Sequence, residues 1–245
     1  MFHQGFSDII SCLPLVNYYS KSYDHLTVII REDFKETVEF YLKDVDNLEI
    51  LYFHIDILRS HLNPFELVSL PYDTDRLFHG TYDNFRNPND GYFRKFNQSM
   101  FYGKGFFEFY GISVREKINN FNLSRDHNRE EELYTKVIGN DKSEYVLFHE
   151  NDINKVKKST IHKNVDLNRI SNNIFDSIKI LEKAKEIHIV DSVWSILCYL
   201  LDTKYGLFKD KKVYLYPFKE RSGSCVWFND KTKIEPYKPN NWIIV

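Results

Sequence analysis

An α/β protein with two parallel sheets is expected from three stretches of this chain. Leu26, Thr27, Val28, Ile29 and Ile30 form a β-branched strand, residues 34–41 fit a short helix, and Leu48, Glu49, Ile50, Leu51, Tyr52 and Phe53 supply the next strand. A second alternation runs through a strand at 145–149, a helix at 174–184 and a strand at 187–190. That last strand ends at Asp191 and Ser192 and passes straight into an apolar helix carrying Val193, Trp194, Ile196, Leu197, Leu200 and Leu201. Strands separated by helices at this spacing pair in parallel, so the first block looks like half of a doubly wound sheet and the second implies a second parallel sheet.

In chain order, Ser7 is a candidate cap for a helix reaching about Tyr19, with Ile9, Ile10, Leu13 and Val16 on one face and Pro14 as a bend. After the first βαβ unit, residues 71–92 are polar and turn-rich, with Asn84, Asn87, Pro88, Asn89, Asp90 and Gly91 close together, which marks a long surface loop. Residues 92–110 are crowded with aromatics around Gly103 and Gly105, and helices packing near a cleft are expected there. An extended piece at 121–126 marks the crossing between halves. It precedes a helix whose acidic start, Glu130, Glu131 and Glu132, suits the helix dipole. Val213, Tyr214, Leu215 and Tyr216 read as a strand, and Trp242, Ile243, Ile244 and Val245 as a last one.

At 245 residues the chain can bury a large core as one large domain or two small ones. With 20 Phe and 17 Tyr against 9 Gly and 7 Pro, it is neither disordered nor low in complexity. A formal charge of −2 excludes a broadly basic protein that coats nucleic acid. Cys12, Cys198 and Cys225 are widely spaced and odd in number, which fits reduced thiols in a reducing compartment. No basic segment leads into a long apolar run at the start, and no apolar run approaches the roughly 20 residues that span a bilayer. A cytoplasmic protein with no integral membrane segment is expected.

The junction at Asp191 and Ser192 is the first candidate site. Both residue types cap helices, and the exposed N–H groups and dipole of a helix starting at a strand's carboxyl end favour a phosphate. An ordinary capped strand-to-helix turn would have the same sequence. The second is His3-Gln4-Gly5-Phe6-Ser7-Asp8, a glycine-containing loop opening into the first helix. Gly5 can adopt positive φ or admit a close ligand, and Asp8 lies in the first turn, either stabilising it or accepting a proton from an acceptor hydroxyl. His149 and Glu150 follow a strand and can contact a nucleotide's base, ribose or phosphate, or stand in a solvated loop. Arg125 is a candidate cleft residue or a partner of Asp126, and Arg221 a candidate phosphate ligand in a charged loop or simply part of a solvated surface.

Gly5-Phe6-Ser7-Asp8-Ile9-Ile10, followed by Pro14, resembles the Gly-x-Gly-Asp segment that opens heptosyltransferase-like glycosyltransferases of the GT-B fold, with Ser7 standing where the second glycine is usual. The segment from Ala184 to Ser192 is similar to the donor-site strand and helix of GT-B enzymes, including fucosyltransferase-like ones. The resemblance implies two Rossmann-like domains with a cleft between them: an acceptor domain over 1–120 and a nucleotide-sugar donor domain over 121–245. It implies an inverting transfer to a glycan or other hydroxyl acceptor. Asp8 would be the base, with His3, Gly5, Ser7 and Arg125 at the acceptor side of the cleft. His149, Glu150, Asp191, Ser192 and Arg221 would lie around the donor, with Asp191 orienting the loop or binding a ribose hydroxyl. GT-B enzymes generally need no bound metal, so neither metal nor cofactor is expected.

Two other readings remain: a non-catalytic carbohydrate- or nucleotide-binding module, and a GT-A-like transferase with a divalent metal on an Asp-x-Asp pair, Asp73 with Asp75 or Asp44 with Asp46. No P-loop, nucleophile elbow, zinc-protease helix or Cys-x-x-Cys pair occurs, which lowers the odds of those enzyme classes.

Overall fold

The computed structural model describes residues 5–60, 107, 111–140, 143–151, 155–168, 170–217, 239 and 241–245. It is an α/β structure with parallel sheets, and the chain divides into two compact units, Met1–Asn122 and Leu123–Val245.

In the first unit, α1 (Phe6–Tyr19) starts one residue before the expected cap: Gly5 holds the N-cap position and Ser7 lies inside the first turn. Residues from Ile9 to Asn17 are all buried. Apolar side chains on every side make this a core helix, and the helix is continuous through Pro14. Strands β1 (Leu26–Arg31) and β2 (Leu48–Phe53) pair in parallel from Leu26 opposite Leu48 to Arg31 opposite Phe53. A 3₁₀ turn (Glu32–Phe34) and α2 (Lys35–Leu42) connect them, and α2 buries Thr37, Val38, Tyr41 and Leu42 on one stripe. A further helix, α3 (Ile55–Ser60), follows β2.

A buried polar knot secures the end of this unit. Asn17 Nδ2 donates to Tyr41 Oη at 3.2 Å and to the Asn120 carbonyl at 3.0 Å, while Tyr41 stacks on Phe121. These bonds tie α1 and α2 to the residues that follow α4 (Arg115–Asn119).

In the second unit the described strands form one parallel sheet in the order β4-β3-β5-β6-β7. They are β3 (Tyr145–His149), β4 (Lys163–Asp166), β5 (Glu186–Val190), β6 (Lys212–Tyr216) and β7 (Trp242–Ile244). Counted from the unit's own first strand, this is the order 2-1-3-4-5. β4 was not expected, because only Val165 in Lys163-Asn164-Val165-Asp166 is buried; it is an edge strand with one apolar anchor.

Helix α5 (His127–Ile138) is capped by Asp126, whose Oδ1 accepts from Asn128 N and Arg129 N at 3.1 Å each. The helix expected over 174–184 is a 3₁₀ turn (Ile174–Ser177) running into α6 (Ile178–Lys183). Lys211 Nζ donates to the carbonyls of Leu181, Glu182 and Ala184, placing a cation where α6 leaves its last carbonyls unpaired. Arg129 grips Asp176 with two bonds, at 2.9 and 2.8 Å, joining α5 to that turn. Helix α7 (Val193–Tyr205) ends at Gly206, whose φ of 65° is the left-handed conformation that closes a helix. Trp242 is 1% exposed and donates Nε1–H to Asp202 Oδ2 at 2.9 Å, fastening β7 to α7.

Cys12 and Cys198 are buried and form no disulfide among the described residues; Cys225 lies outside them, as do the 71–92 loop and most of the 92–110 aromatic stretch. Among the described residues no helix is long and apolar enough to cross a membrane.

Candidate functional site

The order of strands marks one place in the second sheet. The chain leaves β3 toward β4 on one side and leaves β5 toward β6 on the other, so the carboxyl ends of β3 and β5 lie side by side where the crossovers diverge. In open α/β sheets this is where ligands bind. His149 is the last residue of β3, Glu150 follows it, and Asp191 and Ser192 follow β5.

Ser192 is the N-cap of α7: its backbone is extended and its Oγ accepts from Trp194 N at 3.3 Å. Ser195 completes a reciprocal cap, accepting from Ser192 N at 3.0 Å and donating to the Ser192 carbonyl at 2.7 Å. His149 Nδ1 lies 3.1 Å from Ser192 Oγ. The hydroxyl and the imidazole share one proton in this contact, and which of them donates follows the tautomer of the ring. Asn168, two residues past β4, hydrogen-bonds the imidazole and also donates Nδ2–H to the Glu150 carbonyl at 3.3 Å. One connected chain of polar groups therefore spans the ends of β4, β3 and β5.

Burial holds His149 below the ordinary imidazole pKa, against the upward pull of Asp166, Asn168 and Glu150. At neutral pH the ring is a neutral donor, so any charge it offers a phosphate must be acquired with the ligand. Asp191 is 3% exposed. Its N–H donates to the Tyr216 carbonyl at 3.2 Å and its Oδ1 lies 3.4 Å from Ser195 Oγ, so it faces the loop's interior. Glu150 holds the segment beyond the site: Oε1 accepts from Lys158 Nζ at 3.2 Å and Oε2 from Val156 N at 3.4 Å. Burial pushes the Glu150 carboxyl up, and Lys158, the Val156 N–H and Lys155 outweigh it, leaving a net downward shift.

In the first unit, Asp8 Oδ2 accepts the Gly5 N–H at 3.3 Å, bracing the first turn of α1. Gly5 was expected to use positive φ or to admit a close ligand, but it sits at φ −68° and ψ 166°, ordinary extended backbone. Among the described residues a Cβ there would meet Asp8 Oδ2, at 3.8 Å, an ordinary contact distance. Ser7 is half-buried in the first turn.

Arg125 pairs with Glu130, Nε to Oε1 at 2.8 Å, and with Glu182, Nη2 to Oε2 at 2.8 Å, rather than with Asp126. Glu130 is buried and demands a cation, whereas Asp126 is taken up by capping α5. His3 and Arg221 lie outside the described residues, as do Asp73 and Asp75. Asp44 and Asp46 are exposed, and among the described residues no group of three or more His, Cys, Asp or Glu is placed to hold a metal ion.

Sequence reasoning missed Asn168, Ser195 and a second array, Glu186, His188 and Tyr216. The signal for the array was present: polar residues at alternate positions of a central strand, Glu186 and His188, share a face and must find partners on it.

Comparison with known protein families, with curated proteins and with solved structures returns no match for this chain.

Proposed function

We propose that the chain is a nucleotide-sugar-dependent glycosyltransferase whose second unit binds the donor at the carboxyl ends of β3 and β5. The observation that carries this reading is the meeting of His149 and Ser192 at the divergence of the crossovers, beside the N-terminus of α7. A diphosphate there would meet the first N–H groups of α7 and its dipole, and a proton taken up by His149 would offset charge on the departing diphosphate. Asp191, buried and turned into the loop, shapes the junction and leaves phosphate to the backbone.

The sequence resemblance assigns the acceptor to the first unit and the base to Asp8, which would take the proton of the attacking hydroxyl and invert the anomeric carbon. Transfer needs no metal in this reading.

A second reading, a nucleotide- or carbohydrate-binding module without turnover, is favoured by one observation: the Asp8 carboxylate already braces α1. The test is a thermal-shift screen against nucleoside diphosphates and their sugars, followed by a transfer assay on Asp8→Asn. Donor binding with transfer abolished in the variant supports the transferase. Donor binding with no transfer by the unaltered chain supports the module, and no binding removes both nucleotide readings.

A further inference from the structure

Glu186, His188 and Tyr216 are joined end to end on one face of the second sheet. Glu186 and His188 alternate along β5, and the register sets His188 beside Tyr214 and Val190 beside Tyr216 on β6. His188 is 6% exposed, and its ring is stacked on Tyr214 with centroids 4.3 Å apart. Its Nε2 lies 3.3 Å from Glu186 Oε2 and its Nδ1 lies 3.0 Å from Tyr216 Oη. The phenol oxygen also accepts the Lys157 N–H at 3.3 Å.

The donors can be assigned by elimination. The Glu186 carboxylate accepts, so Nε2 carries the imidazole proton and Nδ1 presents a lone pair, to which the phenol donates. The result is an outer hydroxyl, a base and a carboxylate that orients the base. The Lys157 N–H is placed to steady negative charge developing on the phenol oxygen. Tyr216 ends β6, so its phenol belongs to the sheet's carboxyl edge, half-buried against Phe148, Val156 and Val190.

We propose that Glu186, His188 and Tyr216 form a proton-transfer triad in which Tyr216 Oη takes the proton of a hydroxyl-bearing ligand. As the ligand's O–H bond breaks, its proton goes to Tyr216 Oη and the phenol's own proton passes to His188 Nδ1. The imidazolium is held by Glu186, and the ligand oxygen keeps the electron pair. No oxidant or reductant takes part.

Among the described residues, the groups facing His188 are Glu186 on its own strand, Tyr214 and Tyr216 on β6, and Lys157 across the sheet face; β3 offers only the apolar Phe148 at that register. Burial lowers the His188 pKa, Glu186 pulls it up and Lys157 lowers it, leaving a neutral base at neutral pH.

The same activation makes Tyr216 nucleophilic toward a small aryl sulfonyl fluoride, which tests the triad without a known substrate. The O–S bond forms, fluoride leaves and the proton passes to His188. With each tyrosine followed by peptide mass spectrometry on the intact chain, Tyr216 is expected to label at least about tenfold faster than Tyr205, an exposed reference phenol. Its rate should be flat between about pH 7 and 9 and fall only at the lower pH where the buried His188 takes up a proton, whereas an ordinary phenol, ionising near 10, gains about tenfold per pH unit between about pH 7 and 9. His188→Gln should abolish both the excess rate and the plateau, with a smaller loss in Glu186→Gln. A Tyr216 rate no greater than that of Tyr205, or one that climbs about tenfold per pH unit between about pH 7 and 9, would overturn the proposal. The pH profile of the unaltered chain decides this even if His188→Gln does not fold.

Discussion

His149 Nδ1 and Ser192 Oγ, 3.1 Å apart, join the last residue of β3 to the cap of α7, so strand and helix termini that lie 43 residues apart in sequence form one polar unit. The arrangement orients both the imidazole and the first turn of the helix. A cap hydrogen-bonded to a histidine ties helix stability to that histidine's ionisation, and measurable consequences follow for both residues.

Ser192→Ala removes the acceptor for Trp194 N and is expected to cost about 1 kcal/mol in urea unfolding. Ser192→Asp keeps an acceptor at the cap and adds a carboxylate beside the imidazole. It should therefore preserve most of the stability while raising the His149 pKa, read by NMR titration of the ring.

Burial lowers the pKa of both His149 and His188 in the folded chain relative to an imidazole in the unfolded one. Folding therefore favours the neutral rings. The corresponding stability is complete above the unfolded value of about 6.5 and is lost as pH falls through the lower folded values. Urea unfolding free energy should decline as pH falls below about 6.5, and a His149→Asn, His188→Gln double variant should show a flatter profile there.

Arg125→Ala strands Glu130, whose side chain is 2% exposed. Breaking a buried pair from one side costs about 3–5 kcal/mol, so a marked drop in urea midpoint is expected. An Arg125 that served only to contact an acceptor would leave stability unchanged.

Asp8→Ala should destabilise α1 by about 0.5–1 kcal/mol, since it loses both the bond to Gly5 N and a negative charge in the first turn. Asp8→Asn keeps an oxygen acceptor and is expected to lose less. Guanidinium or urea titration of the two variants separates the bracing role from any role in transfer.

Much of the second unit was legible from local pattern. The strands at 145–149 and 187–190 and the apolar helix after Ser192 declare themselves by apolar runs and a capping residue, and each such signal is contained within a few neighbouring side chains. β4 escaped because an edge strand needs little apolar surface, and Val165 alone gives no alternation. The start of α1 was placed two residues late because Ser7 looked a better cap than Gly5, although the backbone carbonyl of Gly5 opens the helix and Asp8 braces it.

At the candidate site, His149 and Ser192 were each visible as residues at a strand's carboxyl end, but the bond between them is a product of strand order. The same holds for Arg125: only packing of α5 against α6 brings Glu182 to it. His188 and Tyr216 meet because β5 and β6 pair in one register, and a one-residue slip would turn Tyr216 to the other face.

The most direct test of the central claim is amide hydrogen exchange with and without saturating uridine, guanosine or adenosine diphosphate and their sugar conjugates. At 100 times the dissociation constant a bound nucleotide should stabilise the chain by about 2.7 kcal/mol. The expected result is protection concentrated at His149, Glu150, Asn168 and the first turn of α7. Absence of binding by every member of the panel, or protection that leaves His149 and the Ser192 turn untouched, would contradict it.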